Sequence, residues 1–121
     1  MGYIAHNAIV VTSWNSDSIE AAACFARNLG MTVLGPSAEA VNGYRSILVC
    51  PDGSKEGWQP SDEGDERRAR LREWMHSQAY SDGSSPLEWV EVRYGSDDRT
   101  AAVTNTAWEL VAEMGDGDGT Q

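Results

Sequence analysis

The stretch Asn42-Gly43-Tyr44-Arg45-Ser46-Ile47-Leu48-Val49-Cys50-Pro51-Asp52-Gly53-Ser54-Lys55-Glu56-Gly57-Trp58-Gln59-Pro60-Ser61-Asp62-Glu63-Gly64-Asp65 decides the fold. Asn42 and Gly43 both tolerate positive φ, so the pair predicts a hairpin turn. The strand that follows, Tyr44 to Cys50, is apolar on both faces in its second half, as a strand covered on two sides would be. Pro51-Asp52-Gly53 ends it. A polar loop from Ser54 to Pro60 then carries Trp58 and the only lysine of the chain, Lys55. From Ser61 to Glu66 the acids sit where the first turn of a helix favours negative charge.

Upstream, Ala8-Ile9-Val10-Val11 is a second apolar run of β-branched type and predicts a central strand. Asn15-Ser16-Asp17-Ser18 supplies capping side chains, with Asp17 and Glu20 spaced as a capping box. Ile19, Ala22, Ala23, Ala26 and Leu29 recur on one helical face between Ser16 and Leu29, and Gly30 is the expected left-handed stop. Thr32-Val33-Leu34 begins a strand that Gly35-Pro36 confines to an edge or bulged position.

Downstream, Leu71, Trp74 and Met75 provide the inward face of the second helix. Arg67, Arg68, Arg70 and Arg72 are expected to point mostly outward, with Glu66 and Glu73 as local ion-pair partners. Asp82 to Pro86 is a turn cluster. Leu87 to Tyr94 alternates as a strand, with Val90 and Val92 opposing Trp89, Glu91 and Arg93. Ser96 to Arg99 reads as a turn, and Thr100 to Trp108 as a last strand or an irregular extension.

The order β-α-β-β-α-β predicts an α+β fold, a ferredoxin-like sandwich with two helices on one face of an antiparallel sheet. Its first and third strands are central, which suits their apolar character. Residues 1–110 make one domain, and 111–121 an acidic Gly/Asp-rich tail expected to be disordered. The other face of the sheet has no cover in this plan, so a homo-oligomer, at least a dimer, is expected.

With a hydrophobic share of 40%, the 121-residue chain can build a core. It has no apolar run long enough for a membrane span. The segment Met1 to Asn7 lacks the basic and apolar regions of a signal peptide, which points to the cytoplasm. The formal net charge of −10 repels a polyphosphate backbone and argues against duplex DNA as a partner. Cys24 and Cys50 sit among apolar residues and read as buried reduced thiols. Nothing in the sequence calls for a metal or another cofactor.

Two sets of residues are candidates for ligand contact. In the loop, Trp58 offers an indole for base stacking and Lys55 a charge for phosphate. The alternative is that Trp58 folds back over the core while Lys55 pairs with a local acid. On or beside the strands, Arg45, Arg93 and Arg99 could gather on the exposed sheet face, where guanidinium groups bind phosphate or carboxylate bidentately, and Tyr44 is a further ligand candidate. The competing reading is isolated pairs with Glu91, Asp97 or Asp98. Neutral-pH acid–base work would fall to His6 and His76. Neither lies in a recognisable catalytic motif, so no catalytic residue is assigned and the chain is not expected to be an enzyme.

The segment Asn42–Asp65, with Arg67-Arg68, Glu73-Trp74 and Trp89-Val90-Glu91-Val92-Arg93-Tyr94-Gly95, resembles a family of small proteins carried by tailed bacteriophages. Ala8-Ile9-Val10-Val11-Thr12-Ser13-Trp14 is similar to theirs too, so the resemblance covers most of the chain up to about Gly95. It implies a phage origin and an accessory role in the cytoplasm of the infected host. One role of small acidic phage proteins is to counter bacterial immunity by sequestering a cyclic nucleotide-type signal, as a sponge. The rival is an acidic protein that binds and inhibits a host or phage protein, as a DNA mimic would. A third is a morphogenesis or packaging accessory.

Overall fold

A computed structural model describes residues 4–55, 57–95 and 99–108. The expected disordered tail at 111–121 and the turn acids Asp97 and Asp98 lie outside the described residues. The elements run β1 (Ala5–Ser13), α1 (Ser16–Asn28), β2 (Val33–Leu34), a single 3-10 turn (Val41–Gly43), β3 (Arg45–Val49), α2 (Gln59–Ser77), β4 (Glu88–Gly95) and β5 (Thr100–Thr106).

The sheet order is β2-β3-β1-β4-β5, and every neighbouring pair is antiparallel. This is the expected ferredoxin-like sandwich with β5 added outside β4. Thr100–Thr106 is thus a strand, the first of the two readings that the sequence allowed for this segment.

Strand alternation sorts the side chains into two faces. Val11 lies between Ile47 of β3 and Trp89 of β4, and Ile9 lies between Val49 and Glu91. These residues face the helices and are buried with Ile19, Ala22, Ala23 and Ala26 of α1 and Leu71 and Met75 of α2. Phe25 of α1 stacks on Trp74 of α2 with ring centroids 4.9 Å apart, joining the helices beside that core. On the opposite face Val10, Leu34, Tyr94 and Val103 are exposed, Leu34 by 58% and Val103 by 61%. Among the described residues no helix is long and apolar enough to cross a membrane.

Local details refine the expected boundaries. Asn42 and Gly43 do take positive φ, at 63° and 75°, and Gly30 ends α1 at φ 93°. The α1 cap is Asn15 and not Asp17, because the Asn15 side chain accepts from the Asp17 and Ser18 amides at 3.0 and 3.3 Å. That places Asp17 inside the first turn, where it still complements the dipole. Helix α2 starts at Gln59, before the acids, with Pro60 in its first turn where a missing N–H costs nothing. Cys24 is exposed, since it lies off the Ile19–Ala22–Ala23–Ala26 stripe, and Cys50 is half-buried; both are free thiols.

Candidate functional site

The densest polar chemistry lies where α2 crosses the β4–β5 end of the sheet. The buried stripe of α2 runs Ser61, Gly64, Arg68, Leu71, Met75, at alternating spacings of three and four. It is apolar only in its second half. The sequence expectation that Arg67 to Arg72 point outward therefore fails for two of the four. Arg68 is on the buried stripe, with its side chain only 9% exposed, and Arg72, one turn further along, leans over the same strand. Arg67 and Arg70 behave as expected, in exposed pairs with Glu63 and Glu66.

Both inward arginines meet Glu91, which is 3% exposed in the middle of β4. Arg72 Nη1 donates to Glu91 Oε1 at 2.6 Å, and Asn105 Nδ2 of β5 donates to the same oxygen at 2.9 Å. Arg68 Nε lies 3.3 Å from Oε2. The Arg68 guanidinium also pairs with Asp65, one turn earlier on α2. A carboxylate at the rim of an apolar core is costly to bury, and it is kept here by a cation or amide on each oxygen.

This network forms the floor of an open cleft of about 200 Å³ lined by Asn7, Asp65, Arg68, Arg72, Glu91, Arg93, Thr104 and Asn105. Arg93 reaches it because it shares a strand face with Glu91, two residues away, and Asn7 because it lies opposite Arg93 on β1. Three guanidinium groups thus meet two carboxylates in a protein of net charge −10. On its other side Arg68 borders a smaller cavity of about 60 Å³, lined also by Gly30, Met31, Thr32, Cys50, Asp52, Gly64 and Arg67.

Asp52 approaches α2 at Gly64, where an added Cβ would come 2.7 Å from its Oδ2. Burial pushes the Asp52 carboxyl up, but hydrogen bonds from the Ser54 amide and hydroxyl, together with the Arg68 charge, outweigh it and hold the group below its ordinary value. Asp82-Gly83-Ser84 repeats the same turn in the loop before β4. There Ser84 donates to Asp82 Oδ1 at 3.0 Å from its amide and 2.7 Å from its hydroxyl, matching Ser54 on Asp52.

The six ligand candidates read from sequence fall at several separate places. Tyr44 closes the Asn42-Gly43 turn and is half-buried. Arg45 ties the start of β3 to the start of α1, donating to the Ser37 carbonyl at 2.8 Å and to Ser16 Oγ at 2.6 Å, with Glu20 3.4 Å away. Lys55 Nζ sits 5.0 Å from the centroid of the Trp58 ring, a cation–π contact. Trp58 is 52% exposed at the start of α2, so it is not a lid on the core. Arg99 is exposed in the turn before β5 with φ 54°.

The expected gathering of arginines on the exposed sheet face does not occur. Arg45 and Arg93 both project to the helix side, as strand parity with Ile47 and Glu91 requires. Of the six, only Arg93 lines the polar cleft. Arg68, Arg72, Glu91 and Asn105 were not singled out as ligand contacts. The signal for Arg68 was present: stepping back from Met75 and Leu71 by helical spacing lands on it.

The two histidines lie apart. His6 rests against Tyr94 on the open face of the sheet, with ring centroids 5.3 Å apart, and His76 of α2 meets Trp89 edge-on on the helix side. Among the described residues no group of three His, Cys, Asp or Glu side chains is placed to hold a metal ion. No model of a known protein family, curated protein or solved structure matches the chain.

Proposed function

We propose that this chain is a non-enzymatic accessory protein of a tailed bacteriophage that works in the host cytoplasm, as a homo-oligomer, by capturing a small phosphate-bearing signal of the cyclic nucleotide type. The observation that carries this reading is the convergence of Arg68, Arg72 and Arg93 on one open cleft of a strongly acidic protein. Arg68 and Arg72 are held in place by Glu91 before any ligand arrives, so little side-chain entropy is lost on binding. Asn7, Thr104 and Asn105 add neutral hydrogen-bonding groups around them. The surrounding negative charge disfavours a long polyanion and leaves a compact one as the ligand that fits. The resemblance to phage accessory proteins supports the biological setting.

The test is native mass spectrometry of the purified protein mixed with cyclic dinucleotides, cyclic trinucleotides and cyclic ADP-ribose isomers. The expected result is retention of one intact nucleotide at a fixed ratio, lost at least tenfold in Arg93→Ala. A conversion product in place of the intact ligand would make the protein an enzyme. Retention of none would sink the sponge reading for those signals.

A second reading is favoured by the open apolar face around Val10, Leu34 and Val103, a surface suited to binding a protein. On that reading the chain inhibits a host or phage protein. It would then form a defined complex with that protein while no nucleotide of the panel shifts its melting temperature.

A further inference from the structure

The loop before β4 and the turn after β5 enclose a further pocket of about 210 Å³, which shares no residue with the arginine cleft. Its apolar lining is Leu87, Ala107 and Trp108, and its polar lining includes Ser84, Ser85 and Glu88. Both walls are tied to the fold. On the loop side, Ser13 Oγ of β1 donates to the Pro86 carbonyl at 2.6 Å, and the Leu87 amide donates to Ser85 Oγ at 3.1 Å. Ser84 is held by its two bonds to Asp82. On the other side, the Ala107 amide donates to the Trp89 carbonyl at 3.0 Å and the Trp108 amide to Thr106 Oγ1 at 3.1 Å. The walls are thus fixed without a ligand, which lowers the ordering cost of filling the space between them.

We propose that this pocket binds a small organic cation, a primary ammonium on a short hydrocarbon stem. The lining selects it. The one ionised side chain there is Glu88, and no arginine or lysine lines the pocket. Among the described residues no cation pairs with Glu88. The Ser84 hydroxyl directs its hydrogen at Asp82 Oδ1, so its oxygen is left to accept an N–H from the ligand. That acceptor favours a primary ammonium over a quaternary one, which has no N–H to give. Trp108, 55% exposed, supplies an indole whose face attracts a cation. Leu87 and Ala107 offer apolar surface to the methylenes of the stem. A phosphate or carboxylate would meet Glu88 with no compensating charge, so the kind of ligand that suits the arginine cleft is excluded here. The net charge of −10 also draws cations toward the surface. The inference goes beyond the nucleotide reading and does not rest on it.

The experiment is an NMR titration of the isotope-labelled full chain with pentylamine, following the Trp108 indole N–H and the Ser84 and Glu88 amides. Pentanol and pentanoate serve as the neutral and anionic counterparts. Pentylamine is expected to shift these signals with a Kd of about 1 mM or below, weakening as salt is raised. Pentanol is expected to bind about tenfold more weakly, and pentanoate not at all. Glu88→Gln should weaken the amine about tenfold and Trp108→Ala about fivefold, with far-UV spectra as a check on folding. Arg93→Ala should leave amine binding unchanged, since it belongs to the other cleft. Absence of pentylamine binding, or equal binding of pentanol, would overturn the proposal. Full affinity in Glu88→Gln would overturn it too, by placing the amine at other acids of the surface.

Discussion

The two faces of β4 invert the usual assignment of charge and hydrocarbon. The face under the helices carries Trp89, Glu91 and Arg93, and Glu91 is among the most buried polar residues described. The face turned to solvent carries Val90, Val92 and Tyr94. The strand buries a carboxylate on one face and leaves Val90 and Val92 half-buried on the other. On the first side the partners are Arg68, Arg72 and Asn105. On the other side the apolar surface continues across the sheet to Val10 and Leu34.

Comparing the faces separates two tasks that a single hydrophobicity scale would merge. The covered face spends burial on a polar network that holds α2 in one position, at Arg68. Whether that network adds net stability is a separate matter, because desolvation offsets much of the attraction in a buried ion pair. What it does supply is a definite geometry for the arginines of the cleft. The open face contributes little to the fold of one chain and is the surface that a partner can use.

The largest effect that would break this contrast is loss of the buried carboxylate. Glu91→Ala is expected to cost about 3–5 kcal/mol in urea unfolding, because Arg68 loses its buried partner and keeps only the exposed Asp65 carboxylate as an ion pair. The double variant Arg68→Met/Glu91→Leu should recover a good part of that loss, since hydrocarbon of similar volume replaces the pair. Failure to recover would mean that the network itself stabilises the fold.

A smaller effect concerns the repeated Asp-Gly-Ser turn. The Asp52 and Asp82 carboxyls both lie below the ordinary value of 3.8, so each favours the folded state above that pH and loses its contribution as pH falls through its lower folded value. Ser54→Ala and Ser84→Ala should each reduce the loss of melting temperature between pH 5 and acid conditions, because each removes a hydroxyl that holds its aspartate down. No change in either variant would show that these turns carry no acid sensitivity.

The smallest effect belongs to the open face. Val10→Thr and Leu34→Thr are expected to shift unfolding free energy by about 0.5 kcal/mol or less each in dilute monomer, as surface substitutions do. A cost of core size would show that this face is covered within one chain.

Much of the fold was legible because its signals are local. The Asn42-Gly43 turn, the Gly30 stop and the alternation of Leu87 to Tyr94 depend on backbone conformation and on side-chain period over a few residues. The cap at Asn15 and the start of α2 were displaced because several capping and breaking residues stand in a row there, and packing chooses among them. The candidate site was much less legible. Arg93 was singled out, but for the wrong face of the sheet, and Arg68 was hidden by its resemblance to the exposed arginines around it.

By itself the sequence determined the order of elements, the antiparallel plan that this order permits, and the strongly acidic character of the surface, because periodicity, turn chemistry and charge are additive along a chain. Only the tertiary structure decided which arginines turn inward and that Asn7, Arg68, Arg72, Arg93 and Asn105 share one cleft. Those residues come from four elements far apart in sequence. Their meeting depends on the register of β1, β4 and β5 and on where α2 crosses them, and no short window of sequence carries that information.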